Sequence, residues 1–155
     1  MQVRLWDREQ DYNTLVKWWT DWKFGTVPKE CLPPDGIMVE NDGEPICAGG
    51  LYVGVGTQFA FMEWVVADKR ANKRDVHKAL KICIDAIMKL AKSKGMKLVY
   101  TATKERELHK RYVKYHDMIL TETSVKTFLR DLDGNYSKDL HWISDDVQFK
   151  KQRKD

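Results

Sequence analysis

Cysteine is scarce in this chain: Cys31, Cys47 and Cys83 are the only three in 155 residues. An odd count with no CxxC spacing excludes a disulfide framework and argues against structural zinc, leaving free thiols in a reducing compartment. Long apolar runs are also missing. No stretch approaches the roughly 18 consecutive apolar residues of a membrane span. The opening MQVRLWDREQ has no apolar signal core, so the expected location is the cytoplasm and no membrane partner is expected. No HExxH, CxxC or DxD-type cluster occurs, and so no metal site is expected. Charge of one sign is only mildly in excess, at +4, enough to suit an anionic ligand such as a nucleotide or a nucleic acid. Internal repeats are absent. The expectation is one domain over residues 1–132, followed by a polar extension over 133–155 that ends in the basic KKQRKD.

What is abundant is tryptophan, six residues, three of them close together at Trp18, Trp19 and Trp22. Val3 and Leu5 alternate with polar neighbours, which predicts a first strand within residues 2–8. Asp11 then stands where it can cap a helix running to about Gly25, with Tyr12, Leu15, Val16, Trp19 and Trp22 on its apolar stripe. Trp18 falls off that stripe and is a candidate for an acceptor pocket or a partner surface. Pro28, Pro33 and Pro34 make the next stretch a loop. GIMVE at 36–40, a turn at Asn41-Asp42-Gly43-Glu44, a return strand over 45–55 and a further strand over 59–66 predict an antiparallel meander.

After Val66 the period changes from two to 3.6. Val76, Leu80, Cys83, Ile84, Ile87 and Ala91 share one helix face, with lysines opposite, and Gly95 stands at the C-terminal end. KLVYTA at 97–102 predicts a strand, so strand, helix and strand form a right-handed parallel crossover. A shorter helix over 105–115 and a last, bent strand over 118–132 complete the expected order.

The segment WVVADKRANKRDVHKAL at 64–80 resembles the acyl-coenzyme A (CoA) binding segment of the GCN5-related N-acetyltransferases (GNAT). AKSKGMKLVYTAT and LHKRYVKYHDMIL resemble that family's next helix end and strand and its following helix. The resemblance implies an α/β fold, α+β in layout: a mixed, mostly antiparallel sheet with helices on both faces. It also implies acyl transfer from acetyl-CoA, as co-substrate, to a primary amine. The backbone of Trp64, Val65 and Val66 is then expected to meet the pantetheine arm. The start of the following helix, Lys73, Arg74, Asp75, Val76 and His77, is expected to meet the pyrophosphate, since helix N-termini bind anions. Lys69 or Arg70 is the expected contact for the 3′-phosphate. The pattern departs from the family where Lys73, Asp75 and His77 replace loop glycines, and where His116-Asp117 replaces Gly-Phe. Asp75 either repels a pyrophosphate or caps the helix.

Two residues are candidates for the chemistry. Glu63 is a carboxylate in the otherwise apolar FAFMEWVV; burial there would raise its pKa and make it a base, whereas strict alternation would put it in solvent. Tyr112 takes the position of the family's acidic tyrosine, with Tyr115 one turn on. His109 and His116 read as solvated helix histidines. The amine stays open: a polyamine-like molecule, a protein amine, or a modified base. Two other readings remain. One is a GNAT-fold binding module without catalysis, of a kind that phages encode; the other is a nucleic-acid-binding module using the basic patches. A monomer and a homodimer are both compatible with the chain.

Overall fold

A computed structural model describes residues 1–133; the expected extension, apart from Asp133, and the basic tail lie outside the described residues. The elements follow in the order β1 (Gln2–Leu5), α1 (Arg8–Asp21), β2 (Asp35–Asn41), β3 (Glu44–Val53), β4 (Phe59–Ala67), α2 (Lys73–Ser93), β5 (Leu98–Tyr100) and α3 (Arg106–Tyr115). The five strands form one sheet in sequence order. Pairing is antiparallel from β1 to β4 and parallel between β4 and β5. The β2–β3 hairpin turns on Asp42 at φ 51 and Gly43 at φ 82, the two left-handed residues of a type I′ turn.

Helix α1 begins earlier than its sequence suggested. Asp7, not Asp11, is the N-cap, and its carboxylate accepts the amides of Glu9 (2.8 Å) and Gln10 (3.2 Å). Asp11 instead lies one turn inside, almost fully buried, and receives both guanidinium nitrogens of Arg4 at 2.8 Å. The Nε of Arg4 donates to Glu40 at 2.6 Å, so one arginine ties β1, α1 and β2 together. The helix ends at Asp21, before the left-handed Lys23 (φ 57). The apolar stripe is therefore rotated from the expected one. Trp18 is core, whereas Trp22 is partly exposed and donates its indole N–H to the carbonyl of Ala67 at 2.8 Å. Trp18 is not among the residues that line the cleft described below.

Helix α2 buries Cys83, Ile84, Ile87 and Ala91 against the sheet, four of the six positions its periodicity predicts, and Ala79 besides, while Val76 and Leu80 are only partly buried; it stops before Gly95 at φ 79, where only glycine is at ease. Two cores result. α2 and α3 pack on one sheet face with Val39, Cys47, Leu51 and Met62; α1 packs on the other with Trp6, Met38, Ala48 and Val66. Cys47 of β3 and Cys83 of α2 meet in the first core with both thiols fully buried, and burial pushes the Cys47 pKa well up.

The expected last strand over 118–132 does not form among the described residues. The carboxylate of Glu122 accepts the amides of Thr123 (2.8 Å) and Ser124 (3.1 Å). That local turn competes with strand pairing in the middle of the segment. Ile119, Phe128 and Leu132 remain exposed, and among the described residues β5 pairs with β4 alone.

Candidate active site

A defect in β4 creates the site. Between the pairs Gly50–Glu63 and Ala48–Val66 the register slips by one residue, so Trp64 and Val65 together oppose Gly49. Trp64 sits at φ 63, a conformation that bulky residues rarely adopt outside a bulge. Gly49 makes the room. A Cβ there would lie 2.7 Å from Ile87 Cδ1 and 3.0 Å from Val65 Cγ2. The bulge also resets the alternation: Met62 faces α2, yet Trp64 and Val66 face the α1 core.

Parallel pairing between β4 and β5 ends at Phe61 with Tyr100. From Met62 onward no strand among the described residues covers that edge of β4. The gap opens into a cleft of about 1230 Å³, bordered by the end of α1, β4, residues 101–105, α3 and the segment after it. A single small-molecule ligand is usually held in about 300–1000 Å³, so the cleft has room for two.

Glu63 and Tyr112 both line this cleft. Burial raises the Glu63 carboxyl to a pKa of about 7, tempered by the backbone N–H of Ala102 that it accepts. Alternation alone would have placed it in solvent; the divergence of the strands places it beside the gap. Burial also pushes the Tyr112 phenol well above its ordinary range, and the Glu63 charge adds to that, opposed by a hydrogen bond from Thr101. At neutral pH the pair is therefore a carboxyl near its midpoint beside a fully protonated phenol.

The expected cofactor contacts divide. Trp64 and Val65 line the cleft, while the Val66 side chain is buried in the α1 core. Trp64 donates its indole N–H to the Tyr52 hydroxyl at 2.9 Å, and that hydroxyl donates to the Cys31 carbonyl at 2.7 Å. At the start of α2, Lys73, Arg74, His77 and Lys78 surround a shallow hollow of about 320 Å³. Asn72 is the N-cap, not Asp75, and its side chain takes the amide of Arg74 at 2.9 Å. A diphosphate at this helix end would compete with Asn72 for that donor. Asp75 is half-buried in the first turn, and Val76 gives its amide to the Asn72 carbonyl at 2.9 Å. Lys69 and Arg70 are spent on the end of α1: Lys69 donates to the Asp21 carbonyl at 3.1 Å and Arg70 reaches Asp21 at 3.4 Å. They serve to hold the β4–α2 loop.

The histidines also separate. His109 is exposed and lines the cleft. His116 is no solvated histidine: its ring is almost fully buried and meets Asp85 at 2.9 Å. Burial lowers the His116 pKa despite that partner. Tyr115 packs edge-on against His77, with ring centroids 5.8 Å apart, and does not line the cleft. Trp19 stands on the apolar stripe of α1, where packing is the expected role. It is buried, as expected, but it also borders the cleft, which a helical stripe cannot reveal.

No protein-family model and no curated protein matches this chain. Solved structures do match it in fold. Rv2747 from Mycobacterium tuberculosis, in complex with CoA, matches with a TM-score of 0.63 at 16% identity, over 97% of this chain and 87% of that one. An aminoglycoside acetyltransferase from an uncultured soil metagenomic sample, in complex with sisomicin, matches with a TM-score of 0.61 at 11% identity, over 84% and 95%. Glucosamine-6-phosphate N-acetyltransferase from Arabidopsis thaliana matches with 0.58 at 14% identity, over 83% and 98%. The fold of this chain is the GNAT fold.

Proposed function

We propose that the chain is an N-acyltransferase that moves an acyl group, acetyl in the first instance, from acyl-CoA to a primary amine. The observation that carries this reading is the carboxyl–phenol pair of Glu63 and Tyr112, set in the cleft where two parallel strands part. The CoA-bound structure among those of the same fold supports the cofactor class. The open β4 edge, the size of the cleft and the basic group at α2 fit an acyl-CoA. Backbone groups of Trp64, Val65 and Val66 would hold its arm, and Lys73, Arg74 and His77 would face its diphosphate, with the helix dipole behind them.

Bound there, the thioester supplies an acyl carbon open to direct attack by the amine. Glu63 takes the proton that the amine must lose. With a pKa of about 7 it is partly ionised at neutral pH and close to the optimum for a general base. Tyr112 keeps its proton until the sulfur departs and then donates to it. Neither residue needs to form a covalent bond.

The test is a titration of the full chain with acetyl-CoA, followed by thermal stability and heat, since a ligand of the native state raises the melting temperature. Micromolar binding is expected. Glu63→Gln and Tyr112→Phe should each slow acetyl transfer about 100-fold or more, the scale of general acid–base catalysis, with acetyl-CoA affinity unchanged. Full turnover in both variants would remove the assignment. A second reading, a binding module without catalysis, is favoured by Asn72 capping α2 in place of a ligand; silence at millimolar acetyl-CoA would select it.

A further inference from the structure

Helix α3 is a weak platform for a residue that must be placed accurately. It has ten residues, no side-chain bond at its N-cap, and Tyr112 as its single buried residue. A helix this short does not hold itself together in water, so its place depends on what it is tied to. Past its end the chain turns through Asp117 at φ 52, the left-handed region that suits glycine and admits aspartate at a cost. Such a conformation persists only where its surroundings hold it. The amides on either side, of His116 and Met118, both donate to the Tyr112 carbonyl, at 3.3 and 3.2 Å. The strained turn thus closes on the residue whose phenol lines the cleft.

The His116 ring ties this turn to α2. Its side chain is 1% exposed, and its Nδ1 meets Asp85 Oδ1 at 2.9 Å. A carboxylate only accepts, so Nδ1 carries the proton. Asp85 Oδ2 takes Lys81 Nζ at 2.7 Å. The other ring nitrogen, Nε2, is buried without a partner, a rare and costly state. Packing alone would be better served by an apolar side chain; the bond to Asp85 is what calls for a histidine. One residue before Tyr112, Arg111 donates to the His77 carbonyl at 3.2 Å and to His77 Nδ1 at 3.0 Å. Contacts to α2 therefore flank Tyr112 on both sides in the chain. We infer that His116 and Asp85 form a positioning pair for Tyr112, clamping the end of α3 to α2 and so fixing where the phenol stands beside Glu63. Neither residue lines the cleft, and both act through Tyr112. The inference rests on the acyltransferase reading.

The experiment offers the full chain and acetyl-CoA a panel of primary amines (spermidine, glucosamine and a lysine peptide) and follows the one that the wild type acetylates fastest. Asp85→Ala and His116→Leu should each lower kcat about tenfold, the effect of a small misplacement, with the KM for acetyl-CoA within about twofold. The Asp85 side chain is 40% exposed, so its variant remains informative should the histidine variant fail to fold. His116→Asn, whose amide can still donate to Asp85, should keep most of the activity, and so should Lys81→Ala, which breaks only the other bond of Asp85. Adding Asp117→Gly to His116→Leu relieves the turn and should recover about threefold in kcat. Fluorotyrosine labelling reads the geometry without any acceptor: the Tyr112 resonance, assigned by its loss in Tyr112→Phe, should be single in the wild type and broadened or doubled in Asp85→Ala. An unchanged kcat or an unchanged Tyr112 resonance in folded Asp85→Ala, or a loss that falls equally on acetyl-CoA affinity, overturns the inference while the acyltransferase stands. A wild type that neither binds acetyl-CoA nor transfers from it removes both.

Discussion

Replacing Glu63 by glutamine should stabilise the protein above neutral pH and leave it nearly unchanged in acid. The carboxyl is raised from 4.5 to about 7 by burial, so the folded state holds that proton more tightly than the unfolded chain does. Below about pH 4.5 both states are protonated and the fold keeps this stability in full. As pH climbs from 4.5 to 7 the unfolded chain ionises freely while the folded one resists, and stability falls; above 7 the loss levels off. A shift of this size corresponds to about 3 kcal/mol, an upper figure because solvent reaches part of the side chain. The glutamine amide oxygen can still accept the Ala102 N–H, so the comparison isolates the charge. Thermal melting of both proteins at pH 5 and pH 8 measures it, and groups common to both cancel. The variant should gain roughly 6–12 °C in melting temperature over the wild type between those pH values, while losing transfer activity. An equal gap at both pH values would mean that Glu63 is not desolvated, and the general-base argument would go with it.

Gly49→Ala should lose about 1–3 kcal/mol in chemical denaturation, because a methyl group there meets Ile87 and Val65 at 2.7 and 3.0 Å in a packed core. Asp11→Asn should lose about 2 kcal/mol near neutral pH, below the usual range for a buried pair because the Arg4 side chain is 37% exposed. Burial alone would raise the Asp11 pKa, but the Arg4 hydrogen bonds hold it below the ordinary carboxylate value. Its stabilisation is thus present above about pH 4 and lost as pH falls through that lowered pKa, so the deficit of the variant should vanish in acid denaturation. Gly43→Ala should lose about 1 kcal/mol by thermal melting from backbone strain at φ 82 alone, since nothing lies within 4 Å of the added carbon.

Periodicity and turn chemistry carried the fold a long way. The Asp42-Gly43 turn, the buried Cys83, Ile84, Ile87 and Ala91 of α2 and the glycine after it all stand where the residues place them, because each depends on neighbours in the chain. The errors fall where distant parts decide. Asp11 looks like a cap until Arg4 and Glu40 converge on it, and Asp7 then takes the helix end. The helix starts four residues earlier than Asp11 would set it and stops at Asp21, so Trp22 falls at its C-cap, partly exposed, while Trp18 stays on the buried face. Alternation put Glu63 at risk of solvent because nothing in FAFMEWVV announces that pairing with β5 stops two residues earlier. The bulge at Trp64 is equally silent, as a tryptophan at positive φ is the last residue that turn chemistry would nominate. Over 118–132 the apolar spacing suggested a strand, but the described chain instead makes a local turn in which Glu122 takes the amides of Thr123 and Ser124.

The three thiols divide the molecule into two clocks. Cys31 lies at the surface and should take a maleimide at once, giving a unique attachment point for a dye near the carbonyl that anchors Tyr52. Cys47 and Cys83 face each other in the seam between α2 and β3, so alkylation of either must wait until that helix lifts from the sheet. Their labelling rate therefore times the parting of the layer on which the strand divergence depends, and a bound ligand that braces the cleft should slow it.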